Sequence, residues 1–281
     1  MLVKTIKEVR NIIKQNKLRE KTVGLVPTMG YLHEGHLSLI RKAKQDNDFV
    51  IVSIFVNPIQ FGPNEDFEDY PRDLDRDYKL AIEAGADLIF NPSVEEMYPQ
   101  EIKTFVEVQD LTENLCGLSR PGHFRGVTTV VAKLFNIVQP DKAYFGKKDA
   151  QQVSVISKMV QDLNFDLEIV PCPIVRENDG LAMSSRNVYL KAMERKSALL
   201  LSQSLFQAQE LINKGERNAQ NIKDFITATL QKDEKCDIDY VKIVDFDTLK
   251  DIEILKGNVL VALAVKIGKT RLIDNIIMEV K

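Results

Sequence analysis

Val23-Gly24-Leu25-Val26-Pro27-Thr28-Met29-Gly30-Tyr31-Leu32-His33-Glu34-Gly35-His36 is the stretch on which the reading of the fold turns. Residues 23–26 form an apolar, strand-like run, Pro27 to Gly30 interrupts it, and residues 37–44 have the apolar spacing of a helix. A strand that hands over to a helix through a glycine-bearing turn points the helix's free N–H groups at the strand's carboxyl end, where an anion can sit. His33 and His36 are three residues apart, so both rings can reach one phosphate chain. Gly30 and Gly35 let the backbone approach closely because no Cβ intrudes. Imidazole donors aimed at charge developing on phosphorus oxygens suit a site that holds a triphosphate while its α-phosphorus is attacked.

Outward from this stretch, residues 49–55, 87–90, 142–145 and 167–170 repeat the pattern of short, continuous apolar strands separated by helix-period segments. Between two of them, Val127, Val130, Val131, Leu134, Phe135 and Val138 recur at helical spacing, ahead of Pro140. This rhythm predicts an α/β fold with a doubly wound, Rossmann-like parallel sheet. After Val175 the pattern changes. Residues 188–214 and 218–231 read as helices, and 238–244, 259–267 and 272–280 alternate as antiparallel strands, with turns expected at Gly257-Asn258 and Gly268-Lys269. The expected domains are 1–176, binding nucleotide and substrate, and 177–281, a smaller α+β domain that closes over the site.

At 281 residues and 44% apolar, the chain has material for two unequal cores. Its 38 basic and 41 acidic residues give a net charge of −3, which supplies no bulk attraction to nucleic acid or to anionic membrane. Cys116, Cys172 and Cys236 are odd in number and far apart, which argues against a disulfide framework and for a reducing, cytoplasmic setting. No apolar run approaches the roughly 18 residues of a membrane span, and the amino-terminal residues lack a signal-peptide core.

Three further segments fall at strand ends or past the domain boundary. Gln60 follows the second strand, where open α/β sheets bind ligands, and offers both a donor and an acceptor to a hydroxy acid. Gly146-Lys147-Lys148-Asp149 follows a strand and enters the helix that carries Gln152, so a lysine there can neutralise phosphate. Met183-Ser184-Ser185-Arg186 makes a loop able to close on a polyphosphate, with Arg186 countering its charge. The charged stretch 62–77 reads as a solvated loop leading into a helix, with a mobile flap carrying a carboxylate near magnesium as the competing reading. His33-Glu34-Gly35-His36 is one residue short of the zincin spacing, and His123 is the only other histidine, so zinc is the weaker alternative.

Taken together, Pro27-Thr28-Met29-Gly30, Asn57-Pro58-Ile59-Gln60-Phe61, Arg120-Pro121-Gly122-His123-Phe124, Phe145-Gly146-Lys147-Lys148-Asp149 and Met183-Ser184-Ser185-Arg186-Asn187 resemble the motifs of the pantoate–β-alanine ligase family of the His-x-Gly-His nucleotidyltransferase superfamily, in order and spacing, through essentially the whole chain. The resemblance implies that Met29, Gly30, Tyr31, Leu32, His33, Glu34, Gly35 and His36 bind ATP, with His36 as catalytic proton donor and His33 beside it on the phosphates. It implies that Gly146, Lys147, Lys148, Asp149, Val175, Met183, Ser184, Ser185 and Arg186 line the nucleotide, Lys148 reaching the phosphates as the third catalytic side chain. Gln60 and Gln152 would hold pantoate, Gln60 would also touch β-alanine, and Arg120 would help order the site. The implied reaction joins pantoate to β-alanine with ATP through an acyl adenylate, releasing AMP and pyrophosphate. Magnesium, with no ligands indicated, a homodimer and a cytoplasmic location belong to the same implication. The competing readings are a nucleotidyltransferase that stops at adenylylating or cytidylylating a phosphate, and a nucleotide-sensing module without turnover. The expectation common to these motifs is that segments scattered along the chain converge in one crevice.

Overall fold

The structure, a computed structural model, describes residues 1–63 and 65–281; Asn64, within the charged stretch 62–77, lies outside the described residues. In chain order the elements are β1 (Leu2–Val3), α1 (Ile6–Lys17), β2 (Val23–Thr28), α2 (Glu34–Asp46), β3 (Phe49–Ile54), α3 (Leu74–Glu83), β4 (Leu88–Phe90), α4 (Val94–Met97), α5 (Leu115–Ser119), α6 (His123–Val138), β5 (Lys142–Gly146), α7 (Ala150–Asp162), β6 (Glu168–Cys172), α8 (Ala192–Asn213), α9 (Ala219–Leu230), β7 (Cys236–Asp245), β8 (Gly257–Ile267) and β9 (Thr270–Val280). The chain divides into two compact units. The first comprises Met1–Val108, Arg120–Lys147 and Val155–Pro173; the second comprises Gln109–Ser119, Lys148–Ser154 and Ile174–Lys281.

The first unit holds a parallel six-stranded sheet in the order β1-β4-β3-β2-β5-β6. Its inner strands read as unbroken apolar runs because both faces are covered: Val23, Leu25, Val26, Val50, Ile51 and Val52 are fully buried. Leu39, Ile40 and Ala43 of α2 and Ala81 of α3 complete one side of this core. Strand order reverses between β2 and β5, which is where ligands bind in open α/β sheets. The β2–β3 ladder runs from Val23–Phe49 to Thr28–Ile54, whereas the β2–β5 ladder consists of Gly24–Lys142 and Leu25–Ala143. Beyond that pairing, the carboxyl ends of β2 and β5 are no longer tied to each other, and these ends carry the histidine turn and Gly146.

The second unit holds the antiparallel sheet β7-β8-β9. Central β8 is buried on both faces: Val259, Val261, Leu263 and Val265 pack in a core with Leu201, Leu205, Ile222 and Ile226 of the two long helices. Leu260 and Ala262 face the other way, onto Leu115 and Ala150. That second face is why residues 109–119 and 148–154 cluster with the carboxyl-terminal segment.

The expected doubly wound sheet followed by a smaller α+β part is present. Two local expectations differ. The helix expected from residue 188 begins at Ala192, because Ser185–Tyr189 forms a separate 3-10 turn and the Glu194 carboxylate caps the later start by accepting from the Lys191 N–H at 2.8 Å. The turn expected at Gly257-Asn258 lies earlier, where the Asp245 carboxylate accepts from the Thr248 N–H and hydroxyl; Gly257 and Asn258 already belong to β8. Gly268-Lys269 does join β8 to β9, with Gly268 at φ +58° in the left-handed region that a two-residue hairpin requires. Among the described residues no helix is long and apolar enough to cross a membrane.

Candidate active site

The turn after β2 is built from side chains that satisfy its backbone. The Thr28 hydroxyl donates to the Ser53 carbonyl at 2.8 Å and accepts from the Gly30 N–H at 3.2 Å. Gly30 and Tyr31 follow with φ of +86° and +49°, two successive left-handed residues, the second not a glycine. A Cβ on Gly30 would lie 2.9 Å from Ile54 Cγ2 and 3.0 Å from an Asp77 carboxylate oxygen, so only glycine fits. The next two peptide N–H groups, of Tyr31 and Leu32, each donate to one oxygen of Asp77 at 2.6 Å. Burial pushes the Asp77 carboxyl above its ordinary range, against these two hydrogen bonds, which pull it down.

Leu32 is fully buried in the sheet core, and His33, in extended backbone, is the cap of α2. The helix therefore starts at Glu34, earlier than the apolar run 37–44 indicates, and His36 is its third residue. The His36 and Leu37 N–H groups bond back to the His33 carbonyl, and the Glu34 and Gly35 N–H groups meet no acceptor among the described residues. The two imidazoles stack with centroids 4.0 Å apart and planes tilted by 33°. The His33 N–H donates to His36 Nδ1 at 3.4 Å. A peptide nitrogen can only donate, so Nδ1 carries the lone pair and His36 holds its proton at Nε2.

Gln60 ends a 3-10 turn, Pro58–Gln60, and is 9% exposed. Its side-chain nitrogen donates to Met29 Sδ at 3.0 Å and its side-chain oxygen accepts from Asn57 Nδ2 at 3.1 Å. Asn57 also donates to the Gly126 carbonyl and accepts from the Tyr98 hydroxyl at 2.8 Å. His123 Nδ1 lies 2.8 Å from the Gln60 carbonyl and its Nε2 lies 2.9 Å from Arg120 Nη1. A guanidinium only donates, so His123 accepts at Nε2 and donates at Nδ1 to Gln60. Arg120 closes the chain of contacts with a two-point pair to Glu65, 2.6 Å at each oxygen. Burial raises the Glu65 carboxyl, but the Arg120 bond and charge outweigh it and leave the group below the usual range.

In the second unit, Lys148 and Asp149 lie in the 3-10 turn that leads into α7, and Gln152, half-buried, is on the first turn of that helix. Asn275 of β9 donates to the Lys148 carbonyl at 2.9 Å. Its neighbour Asp274, 2% exposed, accepts from both terminal nitrogens of Arg176 at 2.6 and 3.0 Å. Arg176 is paired across a tight hairpin with Ala182, and the Met183 N–H donates to the Val175 carbonyl at 3.0 Å. Ser184 caps the following turn by accepting from the Arg186 N–H at 3.2 Å, and Ser185 is buried. One polar pair on β9 thus anchors the Lys148 turn and the hairpin carrying Val175 and Met183–Arg186.

Within the first unit the structure brings Met29 to Gln60, joins His33 to His36, and sets Gly146 at the end of the strand beside β2; among the described residues nothing lies within 4 Å of where a Gly146 Cβ would be. Within the second it brings together Lys148, Val175 and Met183 through Asp274 and Asn275. Residues the sequence reading did not single out are Asn57, Glu65, Asp77, Asp274 and Asn275. Asp77 is one of seven carboxylates in 62–77, and nothing in the sequence marks it as the buried one. Among the described residues no three or more His, Cys, Asp or Glu side chains group to hold a metal ion.

The chain matches the family model described as pantoate-beta-alanine ligase over residues 1–277. It is similar to a pantothenate synthetase of Acetivibrio thermocellus, 62% identical over 279 residues covering 99% of each chain. Among solved structures it is similar to pantothenate synthetase from Thermus thermophilus, at 46% identity and a TM-score of 0.93 over 98% of both chains. It is also similar to a pantoate-beta-alanine ligase from Francisella tularensis complexed with beta-gamma ATP and beta-alanine, at 36% identity and a TM-score of 0.80, covering 98% of this chain and 97% of that one.

Proposed function

The chain belongs to the pantoate–β-alanine ligase family, and from that premise we propose that it condenses pantoate with β-alanine at the expense of ATP, releasing AMP and pyrophosphate. The observation that carries the reading is the histidine turn at the carboxyl end of β2, beside the end of β5, at the point where strand order reverses. A carboxylate is a poor electrophile, so the pantoate carboxylate oxygen first bonds to the α-phosphorus as the bond to pyrophosphate breaks. The β-alanine nitrogen then bonds to the activated carbonyl as AMP leaves, and the amine gives up a proton. The protein's share is orientation, charge stabilisation and exclusion of water.

In this reading His36, with its proton at Nε2, acts as donor to the phosphate oxygens, and His33 and the N–H groups of Glu34 and Gly35 stand beside it. Lys148 neutralises the phosphates. Gly146, Lys147, Asp149, Val175, Met183, Ser184, Ser185 and Arg186 line the nucleotide. Gln60 and Gln152 hold pantoate, and Gln60 also touches β-alanine. The reading further includes convergence of these segments in one crevice, closure of the 177–281 domain over it, a homodimer and a cytoplasmic location. Magnesium neutralises triphosphate charge when bound; the described residues form no cage for it, and none of them is assigned to it.

Purified chain supplied with ATP, pantoate and β-alanine should form AMP and the amide product together. Omission of β-alanine should halt turnover. Continued release of pyrophosphate without amide under all substrate mixes, or no release at all, would overturn the reading. Adenylate density in a crystal soaked with ATP and pantoate, touching both the imidazole pair and the Ser184–Arg186 turn, would test the convergence directly.

A further inference from the structure

We infer that Asp77 is a positioning residue for the reaction: its carboxylate clamps the Tyr31 and Leu32 N–H groups and thereby sets the attitude of His33 and His36. The inference rests on the reading of those two histidines as the groups that act on the phosphates. Asp77 is 1% exposed. A carboxylate taken out of water is costly unless its oxygens are satisfied, and here each oxygen meets one of two consecutive peptide donors at 2.6 Å. With both oxygens so engaged and the group buried, Asp77 does not touch substrate and acts through the turn.

The turn needs such a holder. Its backbone is left-handed at Gly30 and again at Tyr31, a conformation that a tyrosine adopts only where the surroundings over-determine it. Arg76, the preceding residue of α3, lies over the Tyr31 ring with its guanidinium carbon 5.0 Å from the centroid, so α3 grips the turn through two successive side chains. Past the clamp, Leu32 is locked in the core and His33 is the helix cap whose own N–H meets His36 Nδ1. A shift of the two clamped peptides therefore passes to both rings. Asp77 sits in the first turn of α3, where the helix dipole favours a negative charge and offsets part of the cost of its burial.

The test uses the full chain and the Asp77→Asn variant. An amide oxygen can accept one of the two N–H groups, but its NH2 then faces the other donor. With ATP, pantoate and β-alanine, kcat is expected to fall about 100-fold, the size of effect a displacement of about 1 Å produces. The chain has three histidines, so their ring signals can be followed separately in a ¹⁵N-histidine spectrum. Asp77→Asn should move the His33 and His36 signals and leave that of His123 in place; a residue serving only stability would lower the melting temperature with all three unmoved. Folded variant with unmoved ring signals and kcat within twofold of the wild type overturns the inference. Hydrogen exchange on the unaltered protein keeps the test independent of folding of the variant: the Tyr31 and Leu32 amides, outside any helix or strand, should exchange at least about 100-fold slower than free peptide, and exchange at the free rate overturns the clamp. His36→Ala separates this from the reading beneath it. Full turnover in that variant rejects the role of the histidines while the ring spectrum and the exchange rates still judge the clamp.

Discussion

Gly126→Ala puts the placement of Gln60 to a quantitative test. Gly126 lies on α6 where that helix meets the Pro58–Gln60 turn, and an added Cβ would sit 2.4 Å from the Ile59 carbonyl oxygen, 2.5 Å from Gln60 Cα and 2.7 Å from Gln60 N. All three neighbours are backbone, so no side chain can swing aside. Reaching an ordinary contact of 3.4 Å requires the turn to withdraw by about 1 Å, with loosening of the Asn57–Gly126 and His123–Gln60 hydrogen bonds that hold it. Overpacking of this kind costs about 1–3 kcal/mol. The gain in helix propensity from glycine to alanine, about 1 kcal/mol, offsets part of it. The remainder, roughly 0–2 kcal/mol, lowers Tm by only a few degrees in a protein of this size. A substrate contact displaced by about 1 Å loses on the order of 100-fold in rate. Steady-state kcat/KM for pantoate, measured beside a thermal melt, should therefore fall far more than stability does. Gly126→Ala protein with kcat/KM within threefold of the parent would show that Gln60 is not held by this contact or does not meet pantoate.

Three further outcomes are expected. His36→Ala should lower turnover on the order of 10²–10³-fold, the usual loss for one donor to a developing negative charge, with Tm within a few degrees of the parent; equal loss of both would make it a structural histidine. Asp274→Ala leaves Arg176 charged and without its two-point partner, and urea unfolding should report a loss of about 3–5 kcal/mol. The Arg120 bond and charge hold the folded Glu65 carboxyl below its ordinary range despite burial, so the pair stabilises the fold fully above the unfolded value and loses the contribution as pH falls through the depressed folded value. Melts of the parent and Glu65→Gln should differ by a constant amount from about pH 6 to 8 and converge as pH falls through the depressed folded value; a gap that persists in acid would remove the ion pair as its cause.

Much of the fold is legible in residue order because its cause is local. Runs such as Val50–Val52 are continuous rather than alternating, as strands covered on both faces must be, and Gly268-Lys269 announces a two-residue hairpin. The histidine motif announces a helix start beside a strand end. The start of α8 was not legible, since a 3-10 turn over Ser185–Tyr189 and a helix share composition at that length. Edge strand β1, only Leu2–Val3, is too short to carry a period and exists through its pairing with Ile89 and Phe90.

For the candidate site the division is similar. Glycine, histidine, lysine and the Met-Ser-Ser-Arg run declare their chemistry in one dimension because each motif is contiguous and its atoms are joined by a few covalent bonds. What folding alone settles is which distant groups hold those motifs: Asp77 among seven carboxylates, Asn275 within a strand, His123 turned onto the Gln60 carbonyl. Such partnerships depend on burial and on contacts between residues tens of positions apart, and neither quantity is written in the local order of side chains.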